Sequence, residues 1–349
     1  MTDSQHEAAL ALLAQGRGDE GVQMLRQAAQ AGHAPSMTVL GRELLSGHIV
    51  RANAELGVRL IMDAAGRGGG MACATAATLC AWGFSDQPNW PRALDYLQRA
   101  AELGFQPAQA QLRLLSGYRA GIDWKKLRRA IDAAAWRKLP PRVTLSEEPL
   151  IQAAPGLIPP RLCEALIDRA KPRLVPAKLE GGLIAHNVRH HSAAAFLIVD
   201  TDLVVQAVRD RVCALADAPA IRSEIVQVLH YKPGDYFAPH YDFWDPEFDG
   251  HVDTLSYGQR THTILVYLNH EGLEGGETDF PDVGLRHRGK TGDALVWRNV
   301  DLAGRPDRRT VHAGLPPTQG EKWVLSVWIR DRFPSDYDDP RVMAALAFR

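Results

Sequence analysis

The chain has 349 residues, of which 46% are hydrophobic and 23% are charged, and its formal net charge is −1. This length predicts two domains, and the composition is typical of a soluble globular protein. The near-neutral charge gives no general reason to expect nucleic acid or an anionic membrane as a partner.

The N-terminus has no basic region followed by an apolar stretch, so we expect no secretory signal. No apolar run reaches the ~18 residues that a membrane-spanning helix needs. The four cysteines are scattered and form no CxxC pair, which argues against a zinc ribbon or a disulfide framework. We therefore expect buried reduced thiols and a cytoplasmic protein.

A repeat occupies the N-terminal third. Alanine pairs at 28–29, 64–65 and 100–101 are followed by Gly32, Gly68 and Gly104, so the period is 36 residues. Each unit predicts two short helices, the first apolar and ending at a glycine suited to a left-handed cap, as at Gly47 and Gly83. The second helix has apolar residues three and four apart, so units bury their faces by stacking into a solenoid.

At about residues 5–118 the chain resembles the Sel1-like branch of the tetratricopeptide-type repeats. In that family the concave surface typically binds proteins or peptides. The resemblance therefore implies that the solenoid docks a peptide or protein substrate, or a partner. A purely structural arm that stiffens or dimerises the protein is the alternative.

Residues 119–142 predict one linking amphipathic helix, apolar at Trp124, Leu127, Ile131 and Ala134–Ala135 and ended by Pro140–Pro141. Its other face is basic, and a solvated face is favoured over a basic partner site. The predicted domains are thus a helical repeat domain at 1–118, a linking helix at 119–142 and a third segment at 143–349.

The third segment has a β-rich pattern. Two helices are predicted first, at 159–170 and 202–215, and short β-type runs follow between glycines and polar loops. These runs lie at 225–231, 236–243, 261–268, 294–297 and 323–329. Such spacing favours a sandwich or barrel, and a jelly roll of this kind holds a ligand in its interior.

Candidate metal ligands lie in this segment. His240 and Asp242 are two residues apart in a predicted strand, so both side chains should point to the same face. With His312 they make two imidazoles and one carboxylate, the set that non-haem Fe(II) oxygenases use with three coordination positions left open. Lys322 follows ten residues after His312, and a cation inside a small barrel is costly unless an anion pairs with it.

Three segments, QVLHYKPGDYFAPHYD (227–242), RTHTILVYLNHEGLEGGETDF (260–280) and RTVHAGLPPTQGEKWVLSVWIR (309–330), resemble the prolyl 4-hydroxylase-type branch of the 2-oxoglutarate-dependent oxygenases. The resemblance implies an α+β multidomain chain, with the α-solenoid followed by a double-stranded β-helix, or jelly roll. It implies that His240, Asp242 and His312 hold the iron and that Lys322 pairs with the distal carboxylate of 2-oxoglutarate. It also places Tyr231, Thr263 and Tyr267 beside the co-substrate.

The resemblance implies a dioxygenase that hydroxylates an unactivated C–H bond, most readily in a prolyl residue of a peptide or protein. Its requirements are Fe(II), 2-oxoglutarate and O₂, with ascorbate as a candidate reductant. Asp242 favours hydroxylation, because a small residue there would leave room for halide. The segment from Phe243 to Gln259 is interpreted either as a lid over substrate or as a plain connection.

Other functions are weighed against this one. A hydroxylase of a free amino acid or of a non-prolyl peptide residue would use the same chemistry. A repeat scaffold with a non-catalytic 2-oxoglutarate-sensing domain is disfavoured by the intact His240, Asp242, His312 and Lys322. A nucleic-acid demethylase is disfavoured by Lys322, where that branch uses downstream arginines, and by the absence of a basic charge balance. The oligomeric state is left open.

Overall fold

A computed structural model describes residues 2–84, 87–120, 122–177, 189–245 and 258–332. The chain divides into two compact units. Among the described residues, the first unit comprises the chain up to Ala135 together with Leu197–Ala207, and the second comprises Trp136–Phe196 and the chain from Val208 to Arg332. Within the described part of the chain, no helix has both the length and the apolar character needed to cross a bilayer. Residues 246–257, the centre of the segment considered as a lid, lie outside the described residues.

Helical hairpins build the first unit. Helices begin at Gly18, Ala54 and Trp90, and their hairpin partners begin at Ala34, Gly70 and Gln106, so both sets recur every 36 residues. This confirms the predicted repeat. The helices are α1 (Thr2–Ala14), α2 (Gly18–Gln30), α3 (Ala34–Ser46), α4 (Ala54–Gly66), α5 (Gly70–Trp82), α6 (Trp90–Glu102) and α7 (Gln106–Ser116).

Small residues set the spacing of these helices. A Cβ atom on Gly41 of α3 would lie 2.8 Å from the carbonyl oxygen of Gly57 in α4, so the two backbones approach as closely as glycine allows. The helix-ending glycines Gly47, Gly83 and Gly117 have φ values of 66°, 80° and 77°, which confirms the predicted left-handed caps. The apolar positions that repeat through α2, α4 and α6 are fully buried, at Leu25, Ile61 and Leu97.

The predicted linking helix is wrong in length. Helix α8 spans only Trp124–Arg129, and a short 3₁₀ turn follows at Ala135–Arg137. The Asp132 carboxylate accepts hydrogen bonds from the backbone N–H groups of Ala134 and Ala135, at 3.0 and 3.1 Å. This Asx-type turn competes with the next helical turn, so the helix stops although Ile131 is still buried.

The second unit is β-rich. Its helices are α9 (Pro160–Ala170) and α10 (Leu203–Cys213), the second of which begins in the segment assigned to the first unit. The strands of the larger sheet are β1 (Val143–Ser146), β2 (Ile151–Ala154), β3 (Val175–Pro176), β5 (Ser192–Ala195), β6 (Gln227–Tyr231), β8 (Arg260–Tyr267), β12 (Ala294–Arg298) and β15 (Lys322–Arg330). The others are β4 (Arg189–His190), β7 (Tyr236–His240), β9 (Glu274–Gly275), β10 (Thr278–Phe280), β11 (Leu285–His287), β13 (His312–Gly314) and β14 (Pro317–Gln319).

Two antiparallel sheets build most of the second unit. The larger has the order β1-β2-β12-β8-β15-β6-β5-β3, the smaller has β11-β10-β13-β7-β4, and β14 pairs with β9. A core cluster containing Phe280 of the smaller sheet and Trp297 and Leu295 of the larger lies between them. This arrangement confirms the predicted double-stranded β-helix, and its interior is where the candidate ligands meet.

Candidate active site

The strand register brings the two candidate histidines together. In the antiparallel pair β13–β7, His312 lies directly opposite His240, and their ring centroids are 4.2 Å apart. Asp242 completes the cluster, because its Oδ1 is 3.6 Å from His240 Nε2 and its Oδ2 is 3.4 Å from His312 Nε2. One potential ligand atom from each residue lies within 4.8 Å of the other two.

Asp242 reaches this point by a route that the sequence did not predict. Strand β7 ends at His240, so the two residues do not share a strand face and that expectation was wrong. The chain bends after His240, and the carboxylate turns back toward the imidazoles with only 5% of the residue exposed. The two side chains therefore meet at one point although Asp242 lies beyond the end of the strand.

Both histidines are oriented by the backbone two residues earlier. His240 Nδ1 lies 2.9 Å from the Ala238 carbonyl oxygen, and His312 Nδ1 lies 3.0 Å from the Thr310 carbonyl oxygen. Because a carbonyl oxygen only accepts, each Nδ1 carries the proton and donates it. Each Nε2 is then left with its lone pair directed at the cluster, as a metal ligand requires.

Two buried polar residues fix the carboxylate. Thr263 donates from Oγ1 to Asp242 Oδ2 at 2.7 Å, and Asn299 donates from Nδ2 to Thr263 Oγ1 at 2.9 Å. Thr263 is 1% exposed and Asn299 is 0% exposed. Because the Thr263 hydroxyl oxygen accepts a hydrogen bond from Asn299, the hydroxyl proton of Thr263 is directed at Asp242. Thr263 therefore positions the candidate ligand, whereas the sequence placed it beside the co-substrate.

The cluster carries the charges that a divalent cation needs. Burial, helped by the neighbouring His312, lowers the pKa of His240 to about 3, so its imidazole is neutral at pH 7. Burial alone would raise the pKa of Asp242, but His312, His240 and Arg260 lower it well below its usual range. The site is thus an anionic carboxylate beside a neutral imidazole, enclosed away from water.

Lys322 lies in the same cavity as the cluster. The cavity, of about 410 Å³ including the open space at its mouth, is lined by His240, Asp242, His312, Lys322, Tyr231 and Thr263, with Phe237 and Trp328 adding aromatic surface. Lys322 opposes Tyr231 in the β15–β6 register, and its Nζ lies 5.1 Å from the Tyr231 ring centroid. Only 3% of Lys322 is exposed, and among the described residues no carboxylate pairs with it.

Burial lowers the pKa of Lys322 to about 8. Burying the ammonium group costs free energy, and an anion that entered the cavity beside it would offset this cost. Gly276 keeps the space open, since a Cβ atom there would meet the Lys322 Cδ atom at 3.3 Å. The Gly-Gly turn at 275–276, interpreted from the sequence as structural, thus also shapes the cavity.

Tyr267 does not line this cavity. Its ring is part of the core cluster, and its hydroxyl lies 3.0 Å from the Thr278 hydroxyl, which does reach the cavity wall. Tyr231 stacks on His191 at 4.7 Å and exposes its ring to the cavity. Of the seven site residues suggested by the sequence, the structure gathers six around one space and holds Tyr267 behind Thr278.

A buried ion triad near the cluster was missed by the sequence. Glu224 is 0% exposed and accepts from Arg260 Nε at 2.6 Å and from Arg330 Nε at 2.8 Å. The Arg260 guanidinium lies 4.4 Å from the Trp328 ring centroid, and Trp328 lines the cavity. Both arginines lie in the segments that resemble the oxygenases. Glu224 is a single acidic residue before a strand, and no sequence pattern distinguished it from other acidic residues. No pattern marked Asn299 either.

Comparison with known proteins gives a family for this fold and site. Residues 226–330 match the family model described as the 2OG-Fe(II) oxygenase superfamily. Prolyl 4-hydroxylase 1 of Arabidopsis thaliana is 30% identical over 210 residues, which cover 55% of this chain and 72% of that protein. A putative prolyl 4-hydroxylase of Acanthamoeba polyphaga mimivirus is 31% identical over 181 residues, covering 51% and 72%.

Solved structures show two further similarities. The viral collagen prolyl hydroxylase vCPH from Paramecium Bursaria Chlorella virus-1, in its 2OG complex, has 28% identity and a TM-score of 0.41, covering 52% of this chain and 95% of that one. A Sel1 repeat protein from Oxalobacter formigenes has 20% identity and a TM-score of 0.31, covering 39% of this chain and 61% of that one.

Fold and site define a 2-oxoglutarate- and Fe(II)-dependent dioxygenase, an enzyme that uses O₂ with this metal and co-substrate. The chain belongs to the prolyl 4-hydroxylase family of these enzymes. The donor set fits Fe(II), because two imidazoles protonated at Nδ1 and one carboxylate come together, the ligand set that non-haem Fe(II) oxygenases use.

Proposed function

We propose that this enzyme hydroxylates prolyl residues in a peptide or protein, with His240, Asp242 and His312 as the Fe(II) ligands and Lys322 as the partner of 2-oxoglutarate. The observation that carries the proposal is that the three ligands line one cavity with the buried Lys322, which has no ion pair among the described residues. Asp242 supports hydroxylation rather than halogenation, because its carboxylate fills the position where a halide would bind.

Each residue has a separate task in this proposal. When bound, Fe(II) and 2-oxoglutarate supply the oxidising chemistry that places an oxygen atom from O₂ into an unactivated C–H bond. His240 and His312 present their Nε2 lone pairs, and Thr263 holds Asp242 in its binding orientation. The Lys322 ammonium would pair with the distal carboxylate of 2-oxoglutarate and hold the co-substrate in this cavity.

The cavity wall suits a small, apolar target group. Phe237 stacks on the His240 ring at 3.6 Å, and Trp328 borders the cavity on the side of the larger sheet. Aromatic faces of this kind hold an aliphatic ring and exclude water from the reacting carbon. The relatives from Arabidopsis thaliana and mimivirus are named prolyl 4-hydroxylases, which supports a prolyl target for this chain as well.

We extend the proposal to substrate docking, to the reductant and to the cellular location. Hairpins α2–α7 dock the polypeptide substrate, and ascorbate would serve as the reductant of the enzyme. A cytoplasmic location stays a prediction, supported by four buried cysteines that are thiols rather than disulfides.

The proposal is tested by measuring succinate and hydroxylated product together. Full-length protein with Fe(II), 2-oxoglutarate and O₂ is offered proline-rich peptides, and the same peptides with every proline replaced by alanine. We expect succinate formation that depends on proline, a mass gain of one oxygen atom on a prolyl residue, and loss of both with His240→Ala. An oxygen atom on a non-prolyl residue or on a free amino acid would overturn the prolyl assignment.

A further inference from the structure

A second cavity lies on the opposite face of the larger sheet. Side chains alternate along a strand, so on β8 Thr263 faces the metal cluster while the preceding residue, His262, faces the other way. The second cavity encloses about 670 Å³ including its mouth. Its lining comes from the sheet, from the turn after α10 and from the segment before β1, and all of it belongs to the second unit.

The floor of this cavity is a cross-strand pair of nitrogen-rich side chains. Arg298 of β12 lies directly opposite His262 of β8 in the antiparallel register, so the two side chains are neighbours on one face. Burial and the charge of Arg298 lower the pKa of His262 to about 4. His262 is therefore neutral at pH 7 and contributes hydrogen-bonding nitrogen atoms, while Arg298 contributes the charge.

Within the described residues, Arg298 has no ion-pair partner for that charge. It is half-buried, and among the described residues its guanidinium makes no hydrogen bond and no ion pair. A second guanidinium, that of Arg142, lies at the rim, where its Nη1 donates to the Leu215 carbonyl oxygen at 3.0 Å. Arg142 likewise has no ion pair within the described part of the chain, so neither of the two cations that face the cavity is ion-paired.

The remaining lining limits the kind of anion. Leu150, Leu215 and Val296 provide apolar wall beside the two guanidinium groups. Asp217 also lines the cavity but pairs with neither arginine, and its exposed carboxylate would repel a ligand that carries several negative charges. One negative charge with an apolar tail matches both features, because a guanidinium fork binds a carboxylate in two parallel hydrogen bonds.

We propose that this cavity is a binding site for a small monocarboxylate with an apolar tail, held by Arg298 and Arg142 with its tail on Leu150, Leu215 and Val296. The site lies apart from the metal cluster and does not require the oxygenase activity. His262 donates a further hydrogen bond from a ring N–H to the carboxylate. Val296 lies opposite Gln152 on one neighbouring strand and Ile264 on the other, so the sheet fixes the position of this part of the apolar wall.

The probe is 4-methylpentanoate, and its neutral amide, 4-methylpentanamide, is the matched control ligand. Binding is measured by NMR titration in the presence of a metal chelator, on the full chain with Lys322→Met, so that the metal cavity does not capture the carboxylate. We expect saturable binding with a Kd of order 1 mM, and binding of the amide at least tenfold weaker. Inorganic phosphate should not displace the probe at equal concentration.

Variants then assign the site. Arg298→Gln should weaken binding at least tenfold, and Arg142→Gln should weaken it by a smaller factor. Arg286→Gln, which removes an exposed arginine outside the cavity, should leave the Kd unchanged. Unchanged binding in Arg298→Gln, equal binding of acid and amide, displacement by phosphate, or no binding by wild-type or Lys322→Met protein would each overturn the proposal. Thermal unfolding of every variant verifies that a loss of binding is not a loss of fold.

Discussion

The hydroxyl of Thr263 donates a 2.7 Å hydrogen bond to Oδ2 of Asp242, and both residues are buried. One carboxylate oxygen is thereby held by the protein, and the orientation of the other is fixed toward His240. Asn299 sets the direction of the hydroxyl proton by donating to the same oxygen atom of Thr263. The metal affinity of the site should therefore depend on two residues that are not themselves ligands.

Thr263→Val tests this dependence. Valine keeps the shape but removes the hydrogen bond, and it leaves the Asn299 amide buried without its acceptor. We expect affinity for Co(II), used as a redox-stable substitute for Fe(II), to fall by about 10- to 100-fold without any added 2-oxoglutarate. Thr263→Ser keeps the hydroxyl and should retain most of the affinity. Equal Co(II) affinity in the valine variant and wild type would show that Asp242 is held by other contacts.

Lys322→Met should stabilise the ligand-free protein and abolish its affinity for 2-oxoglutarate. Burial lowers the pKa of Lys322 from 10.5 to about 8, so at pH 7 the folded state holds a charge that the unfolded chain solvates better. Removing it should raise the free energy of unfolding by about 1–3 kcal/mol. Urea unfolding at pH 7 without co-substrate measures this gain, and a destabilised methionine variant would contradict it.

The same shift gives a pH dependence. Between about pH 8 and 10.5 the unfolded state binds more protons at Lys322 than the folded state does. The contribution of Lys322 to stability therefore rises with pH across this window, and the advantage of Lys322→Met shrinks. Affinity for 2-oxoglutarate should move the opposite way and fall as the ammonium group is lost. Parallel urea series at pH 7 and pH 9.5 provide the measurement.

Glu224→Gln should destabilise the protein strongly. The substitution removes the one carboxylate shared by Arg260 and Arg330 and leaves two buried guanidinium groups without it. We expect a loss of about 3–5 kcal/mol in the free energy of unfolding. Arg286→Gln breaks an exposed ion pair with Asp279 and should cost only ~0–1 kcal/mol. Similar costs for the two variants would contradict the role given to the triad.

Alanine substitutions at two nearby glycines, Gly66 and Gly68, test how much a left-handed backbone conformation contributes to the stability of the repeat. Gly68 has a φ of +86°, and a Cβ atom added there would meet no other atom within 4 Å, so Gly68→Ala should cost about 1–2 kcal/mol through backbone strain alone. Gly66, in the last turn of α4, also has open space but no positive φ. Gly66→Ala should therefore be neutral or stabilise by up to ~1 kcal/mol. Equal shifts of the two variants in thermal unfolding would contradict the importance of the left-handed conformation at Gly68.

The repeat and the ligand set were readable from the sequence for different reasons. The 36-residue period appears directly in Gly32, Gly68 and Gly104, because a glycine at a left-handed position has few substitutes. His240, Asp242, His312 and Lys322 belong to motifs whose residue types are dictated by metal and carboxylate chemistry. Residue types that are fixed by local chemistry in this way can be recognised in a sequence before the fold is known.

Features that depend on tertiary contacts could not be predicted from the sequence. Asp242 joins His240 through a bend after the strand, and alternation alone placed both on one strand face. Glu224 and Asn299 act through partners 36 or more residues away, so no local pattern marked them. The helix after Trp124 ended early because the Asp132 side chain competes for backbone N–H groups, a contact that apolar periodicity does not report.

The most direct test of the central claim is an anaerobic titration of the Fe(II)-loaded protein with 2-oxoglutarate, followed by the visible charge-transfer absorption of the chelate. We predict saturation at one 2-oxoglutarate per chain in wild type, no band in His312→Ala, and at least 100-fold weaker binding in Lys322→Met. A folded, iron-loaded wild-type protein that binds no 2-oxoglutarate, or one that binds it equally well without Lys322, would contradict the assignment of this cavity as the oxygenase active site.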